Sequence, residues 1–174
     1  MVEYALGDTI FTREQIEARA AEIGRQITAD YAGKEILIVG ILTGCVMWMA
    51  EVMKSISLDT TVDFMSVSSY GEATRSSGVV RIIKDLRAEI KGRHVLIIED
   101  IIDTGSTINY LCTFLKGRGP ASLGICTMLD KPARRVVQVR ADYVGFTAPN
   151  VFLVGYGLDA NQRYRNLPFI AAVK

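Results

Sequence analysis

One stretch limits the possible folds of this chain more than any other: Val95-Leu96-Ile97-Ile98-Glu99-Asp100-Ile101-Ile102-Asp103-Thr104-Gly105-Ser106-Thr107. Its first four residues are apolar without alternation, as in a strand buried on both faces of a sheet. Residues 94–99 are therefore predicted to form a strand ending in two adjacent carboxylates, Glu99 and Asp100. Side chains alternate across a strand, but where its end frays two neighbours can reach one ligand. Four residues after Glu99, Asp103-Thr104-Gly105-Ser106-Thr107 turns into a helix predicted over about 106–116. Hydroxyls and free N–H groups at a helix start suit a phosphate, and ligands of doubly wound sheets bind outside the carboxyl ends of the strands. The plainer reading is a strand-to-helix turn in which Asp103 or Ser106 caps the helix and the acids are solvated. Two acids set between an apolar strand and a phosphate-type turn favour a ligand site. The Walker spacing GxxxxGK[ST] is absent, which disfavours a P-loop hydrolase.

The flanking sequence repeats the same rhythm. Residues 12–31 carry Ile16, Ala20, Ile23 and Ile27 at helical spacing, with Thr12 placed to cap the start and Gly33 just past the end. A short apolar run over 35–42 ends at Thr43-Gly44, and 45–56 returns to helical composition. Further strands are predicted over 61–67 and 121–129. Strands bounded by helical segments predict an α/β fold with a mostly parallel sheet covered on both faces. After Lys131 only short strand-like pieces follow, at 136–139, 143–146, 152–157 and 169–173, separated by polar turns with Pro149 and Pro168. They predict a small flap beside the sheet. Residues 68–78 are small and polar, and 79–86 then alternate like a strand. This reads as a mobile hairpin loop, a type of element that often carries function.

The chain has 174 residues, enough for one domain with a sizeable core and too few for two ordinary ones. Lys plus Arg number 20 against 19 Asp plus Glu, so no overall field draws the protein to nucleic acid or to a membrane surface. Cys45, Cys112 and Cys126 are far apart and form no CxxC pair, which reads as buried thiols in a reducing compartment. The start Met1-Val2-Glu3-Tyr4 lacks a basic segment followed by an apolar run. No apolar stretch is long enough to span a membrane, so the expectation is a cytoplasmic protein.

The stretch from Glu99 to Thr107 resembles the phosphoribosyl pyrophosphate (PRPP) signature of the type I phosphoribosyltransferases. Nearly the whole chain is similar to their hypoxanthine-guanine branch. The matching parts are Leu42-Thr43-Gly44, Ser69-Tyr70, Lys131, Asp142-Tyr143-Val144-Gly145-Phe146, Val154-Gly155-Tyr156-Gly157-Leu158-Asp159 and Tyr164-Arg165-Asn166-Leu167-Pro168. The resemblance implies one domain over 1–174, with a core over about 10–130 and a hood from about 131–174 joined by N-terminal residues. It implies transfer of the phosphoribosyl group to N9 of hypoxanthine or guanine, giving IMP or GMP and pyrophosphate, in a homodimer or homotetramer.

The same resemblance assigns roles. Glu99 and Asp100 would hold the ribose and its Mg²⁺, for which hard oxygen ligands are suited. Thr104, Gly105, Ser106 and Thr107 would bind the 5′-phosphate, and Asp103 would be the acid/base at purine N7, its alternative being a helix cap. Lys131 would donate to the purine O6, although a lysine in such a turn is ordinarily surface charge. Phe152 would stack on the base and the Leu153 backbone would bond its edge; an apolar strand residue is otherwise core. Asp159 would bind a second Mg²⁺ through water and Arg165 would clamp pyrophosphate, their alternative being a rim ion pair. The backbone of Thr43 and Gly44 would face pyrophosphate, in a turn where family members often have a cis peptide. Lysine is common in the family at the position of Thr43, so the role the resemblance implies there is that of the backbone. Ser69 and Tyr70 would close over the reacting centre as part of a lid. His94, the single histidine, reads as structural, with no Ser or Cys nucleophile paired to it.

Two rivals stand beside this reading. A related transferase could prefer xanthine or another base, since the PRPP signature does not name the acceptor. A regulator could keep the fold to sense a nucleotide or bind nucleic acid, but the basic face or added module it would need is not seen.

Overall fold

The computed structural model describes residues 5–69 and 80–174. In chain order the elements are β1 (Leu6–Phe11), α1 (Arg13–Asp30), β2 (Ile36–Leu42), α2 (Val46–Met53), β3 (Thr60–Ser69), β4 (Val80–Lys84), β5 (His94–Ile102), α3 (Ser106–Lys116), β6 (Ser122–Asp130), β7 (Tyr143–Thr147), β8 (Leu153–Val154) and β9 (Ile170–Val173). The central sheet has the order β4-β3-β2-β5-β6-β7, and β1, β9 and β8 form a second, three-stranded sheet. In the central sheet β3, β2, β5, β6 and β7 are parallel, while β4 runs antiparallel at the edge. This is the mostly parallel α/β architecture with a small hood that the sequence predicts.

Strand alternation sorts the core into two layers. Ile36, Ile38, Leu96 and Ile98 pack with Ile16, Ala20, Ile23 and Ile27 of α1 and Trp48 and Val52 of α2. Leu37, Val39, Val95 and Ile97 point the other way, onto Ile108, Leu111 and Leu115 of α3. Both faces of β2 and β5 are apolar because both are covered. Helix α1 starts where the sequence places it: Gln15 N–H donates to Thr12 Oγ1 at 3.3 Å, and Thr12 N–H donates to Gln15 Oε1 at 2.8 Å. This reciprocal pair satisfies two N–H groups that the first turn cannot.

Three expectations are corrected. The piece at 143–146 belongs to the central sheet, where β7 pairs in parallel with β6 from Cys126↔Tyr143 to Asp130↔Thr147. Parallel neighbours normally need a helical crossover, and residues 131–142 supply only a 3₁₀ turn at Pro132–Arg134, so the sequence hid the pairing. The piece at 136–139 is not a strand: Val136 and Val137 N–H donate to Thr104 O at 2.9 and 3.0 Å, which holds this segment against the turn before α3. Strand β5 does not end at Glu99 but runs on to Ile102, paired with β6 to Ile102↔Asp130.

Strands β3 and β4 pair antiparallel up to Ser69↔Val80, as the predicted hairpin requires, while the loop itself at 70–79 lies outside the described residues. Asp63 pins this hairpin to the chain entering β5. Its carboxylate accepts from Phe64 N at 2.8 Å, Arg87 N at 2.6 Å and Ala88 N at 3.0 Å, and pairs with Lys84 Nζ at 3.3 Å. Burial alone would raise its pKa; the N–H donors of Ala88, Phe64 and Arg87 and the Lys84 ammonium outweigh burial and bring it down to about 2 from the usual 3.8. A depressed folded-state pKa contributes stability above the unfolded value and loses it as pH falls through the folded one. Asp63→Asn is therefore expected to cost about 2 kcal/mol near neutral pH. The difference should shrink below about pH 4 and vanish towards about pH 2, as urea unfolding across that range would show. A difference that stays constant with pH would contradict the assignment.

Candidate functional site

The site opens because β2 and β5 part company. Their pairing stops at Gly40↔Ile98, whereas β2 continues with β3 to Leu42↔Ser66 and β5 with β6 to Ile102↔Asp130. The gap beyond Ile98 becomes a cavity of about 420 Å³. It gathers Thr43, Gly44, Glu99, Asp100, Asp103, Thr104, Gly105, Thr107, Asp159 and Arg165 from elements far apart in sequence. Ser106, Lys131, Phe152 and Leu153 are not among its lining residues. Ser69 closes β3, its side chain lies outside the description, and Tyr70 and the proposed lid lie outside the described residues.

Glu99 and Asp100 reach the cavity from the body of β5 rather than from a frayed end, because β5 lacks β2 as a partner there. Glu99 is buried, and burial together with the adjacent Asp100 charge pushes its carboxyl well above the usual range. Burial raises Asp100 too, opposed by hydrogen bonding with Glu99 and Ile101 N–H and by the Arg165 charge. Two adjacent carboxylates shielded from water disfavour each other's charge, and a cation between them and a ligand would relieve this. Among the described residues no three His, Cys, Asp or Glu side chains converge as a metal cage.

Helix α3 starts from Gly105, whose φ of 85° places it in the left-handed region open to glycine, and no side chain caps the helix. Asp103 is thus not a cap. Its Oδ1 is buried and accepts no hydrogen bond among the described residues, and Arg134 Nε stands 3.3 Å away at an ion-pair distance. Ser106 N–H approaches Thr104 Oγ1 at 3.4 Å, leaving the first turn of α3 facing the cavity with its dipole.

The far wall comes from the segment after β8. Arg165 pairs with Asp159 at 2.8 Å and donates to Gly157 O at 2.7 Å and to Gln162 Oε1 at 3.1 Å. The Leu42–Thr43 peptide is cis. A Cβ on Gly44 would overlap Asp100 Oδ2, and a Cβ on Gly157 would overlap Gly44 O. Glycine at both places lets the hood loop, the turn after β2 and the acid of β5 meet in one wall.

Lys131 is 5% exposed, which removes the surface-charge reading, and its Nζ donates to Val151 O at 2.7 Å. Phe152 is 53% exposed and so is not core, whereas Leu153 is buried in β8. Cys45 and Cys126 are buried and Cys112 is half-buried; all three are free thiols. His94 does have a serine beside it, with Ser122 Oγ 2.7 Å from Nδ1, but the pair sits where β5 and β6 begin, at the opposite end of the sheet from the cavity. Sequence reasoning missed Arg134 and gave Gly157 no role beyond its place in a matching stretch: an arginine in a polar loop and one glycine among several carry no distinguishing signal.

Residues 7–161 match the phosphoribosyl transferase domain family. The chain is 49% identical over 174 residues to a hypoxanthine-guanine phosphoribosyltransferase of Streptococcus pneumoniae, covering 100% of this chain and 97% of that protein. Its structure is similar to a hypoxanthine phosphoribosyltransferase from Staphylococcus aureus, with a TM-score of 0.93 and 47% identity over 97% of this chain and 92% of the other. It is also 50% identical to a bifunctional TilS/HprT protein of Listeria innocua, over 95% of this chain but only 26% of that longer protein.

Proposed function

The chain belongs to the hypoxanthine-guanine phosphoribosyltransferases, and from that premise we propose that its cavity transfers the phosphoribosyl group of PRPP to N9 of hypoxanthine or guanine. The observation that carries this most directly is Asp103: a carboxylate with a buried, unbonded oxygen beside a helix N-terminus and two further acids, Glu99 and Asp100, in the same cavity wall. Thr104 to Thr107 hold the 5′-phosphate through the first-turn N–H groups and hydroxyls. Arg165 and the backbone of Thr43 and Gly44 receive the pyrophosphate. N9 bonds to the anomeric carbon as the bond to pyrophosphate oxygen breaks, and the N7 proton passes to Asp103. Lys131 donates to O6, Phe152 stacks on the base and the Leu153 main chain bonds its edge.

The donor set fits Mg²⁺: Glu99 and Asp100 would hold one ion and Asp159 would face a second, since hard oxygen ligands suit this cation. When bound, Mg²⁺ offsets charge on the departing pyrophosphate. A cytoplasmic location agrees with three free thiols, and among the described residues no helix is long and apolar enough to cross a membrane. Assembly as a homodimer or homotetramer belongs to the same proposal.

Purified protein is expected to form IMP and GMP from the bases and PRPP only with Mg²⁺. Adenine should be a poor acceptor, because the Lys131 ammonium donates and cannot accept from a 6-amino group. Initial rates with hypoxanthine, guanine, xanthine and adenine test this. Equal kcat/KM for adenine and hypoxanthine would remove Lys131 from base recognition, and binding without turnover would indicate a nucleotide sensor.

A further inference from the structure

Between β6 and β7 lies a second arginine that the reaction above does not use. The Arg135 side chain is 9% exposed. Its guanidinium pairs with Asp130 Oδ1 and donates to Ile102 O and Val139 O, each at 3.4 Å. These partners come from three segments: the end of β5 one residue before Asp103, the end of β6 one residue before Lys131, and the loop that follows. Ile102 O also accepts from Lys131 N at 3.0 Å, so the two strand ends are tied twice. Beside this tie, the N–H groups of Val136 and Val137 both reach Thr104 O, and a Cβ on Gly105 would stand 2.5 Å from Val137 O and 3.1 Å from Arg135 Cδ. The segment that starts at Arg135 is therefore the back wall of the phosphate-binding turn.

A partly buried ion pair is weak evidence for stability, because desolvation offsets much of its attraction. Its geometric content is larger. A guanidinium offers several donors in a fixed plane, whereas an ammonium can serve fewer of these acceptors at once. We infer that Arg135 is a positioning residue: it holds the phosphate turn with Asp103 in register with the purine lysine, acting through Asp130 and through the contact of 136–137 with Thr104. This rests on the transferase reading of the cavity. It predicts that the two substrate subsites share one brace, so that damage at Arg135, which faces neither substrate in the cavity lining, is felt at both.

The test uses the full chain with Arg135→Lys, Asp130→Asn and the double variant. Three quantities are measured: Kd for PRPP with Mg²⁺ by calorimetry, steady-state KM and kcat for both substrates, and Tm. Arg135→Lys should weaken PRPP binding and lower kcat, each by roughly tenfold, with KM for the base raised as well. Asp130→Asn should shift the same parameters, and the double variant should be no worse than Arg135→Lys alone, since both break one contact. A purely structural arginine would lower Tm while leaving Kd, KM and kcat within about twofold of the parent, and that result in either single variant overturns the inference. Should Arg135→Lys not fold, Asp130→Asn alone decides. A parent protein that forms no nucleotide overturns the transferase reading, and the PRPP Kd values still decide the role of Arg135. A parent that does not bind PRPP overturns both.

Discussion

Replacing Asp103 by asparagine is expected to lower kcat by roughly a hundredfold or more while leaving PRPP affinity within a few fold. The substitution keeps shape and hydrogen-bonding atoms and removes only the ability to take up a proton. A helix-capping Asp103 would leave kcat unchanged, because asparagine caps as well as aspartate. The structure makes the two cases separable: α3 begins at Gly105 without a side-chain cap, so Asp103 has no capping bond to lose. Its one charged partner at close range among the described residues is Arg134, whose side chain is half exposed, so loss of that pair costs little stability. Tm should therefore hardly move while turnover falls. Unchanged kcat in Asp103→Asn would sink the proton-acceptor role, and a fall in PRPP binding as large as that in kcat would recast Asp103 as a phosphate-loop residue.

Much of the fold was legible because local and global signals agree. Thr12 and Gln15 mark the start of α1 by a reciprocal cap, and Ile16, Ala20, Ile23 and Ile27 give the buried stripe directly. The boundaries of α3 were readable because Gly105 breaks the chain into a left-handed residue and Lys116 and Gly117 close it. The errors fall where register decides. Nothing local in Val95 to Ile102 says that β2 stops pairing at Ile98 while β6 continues, yet that mismatch creates the cavity and lets acids in mid-strand face it. The same holds for β7, which joins the sheet without the helix that normally announces a parallel partner.

The proposed site residues divide along a similar line. Glu99, Asp100 and Asp103 carry their own signal, since carboxylates beside an apolar strand and a phosphate-type turn are hard to explain as core or surface. Lys131 and Phe152 could be placed only by resemblance: burial of one and exposure of the other depend on how the hood folds over the strand ends. Arg135 carried no signal at all, because its acceptors include two carbonyl groups, which every residue possesses.

The second large effect is expected at Gly44. Gly44→Ala should reduce kcat/KM for PRPP by roughly a hundredfold or more, through displacement rather than through lost chemistry. The added Cβ would overlap the Asp100 carboxylate, which is half-buried and tied back by Ile101 N–H at 2.7 Å, so the acid cannot rotate freely away. The turn cannot retreat either, since Gly157 rests on Gly44 O from the other side, at a φ of 101° that itself favours glycine. Gly157→Ala should accordingly reproduce much of the loss from the opposite side of the same wall. Gly33 provides the control. Its φ is also positive, at 74°, but a Cβ there would meet nothing within 4 Å, so Gly33→Ala should cost about 1 kcal/mol of stability and leave kcat/KM unchanged. Urea unfolding and PRPP kinetics on the three variants separate backbone strain from site displacement. If Gly44→Ala followed Gly33→Ala, losing stability but keeping kcat/KM, the close approach of Asp100, Gly44 and Gly157 would have no part in shaping the end of the cavity proposed to hold pyrophosphate.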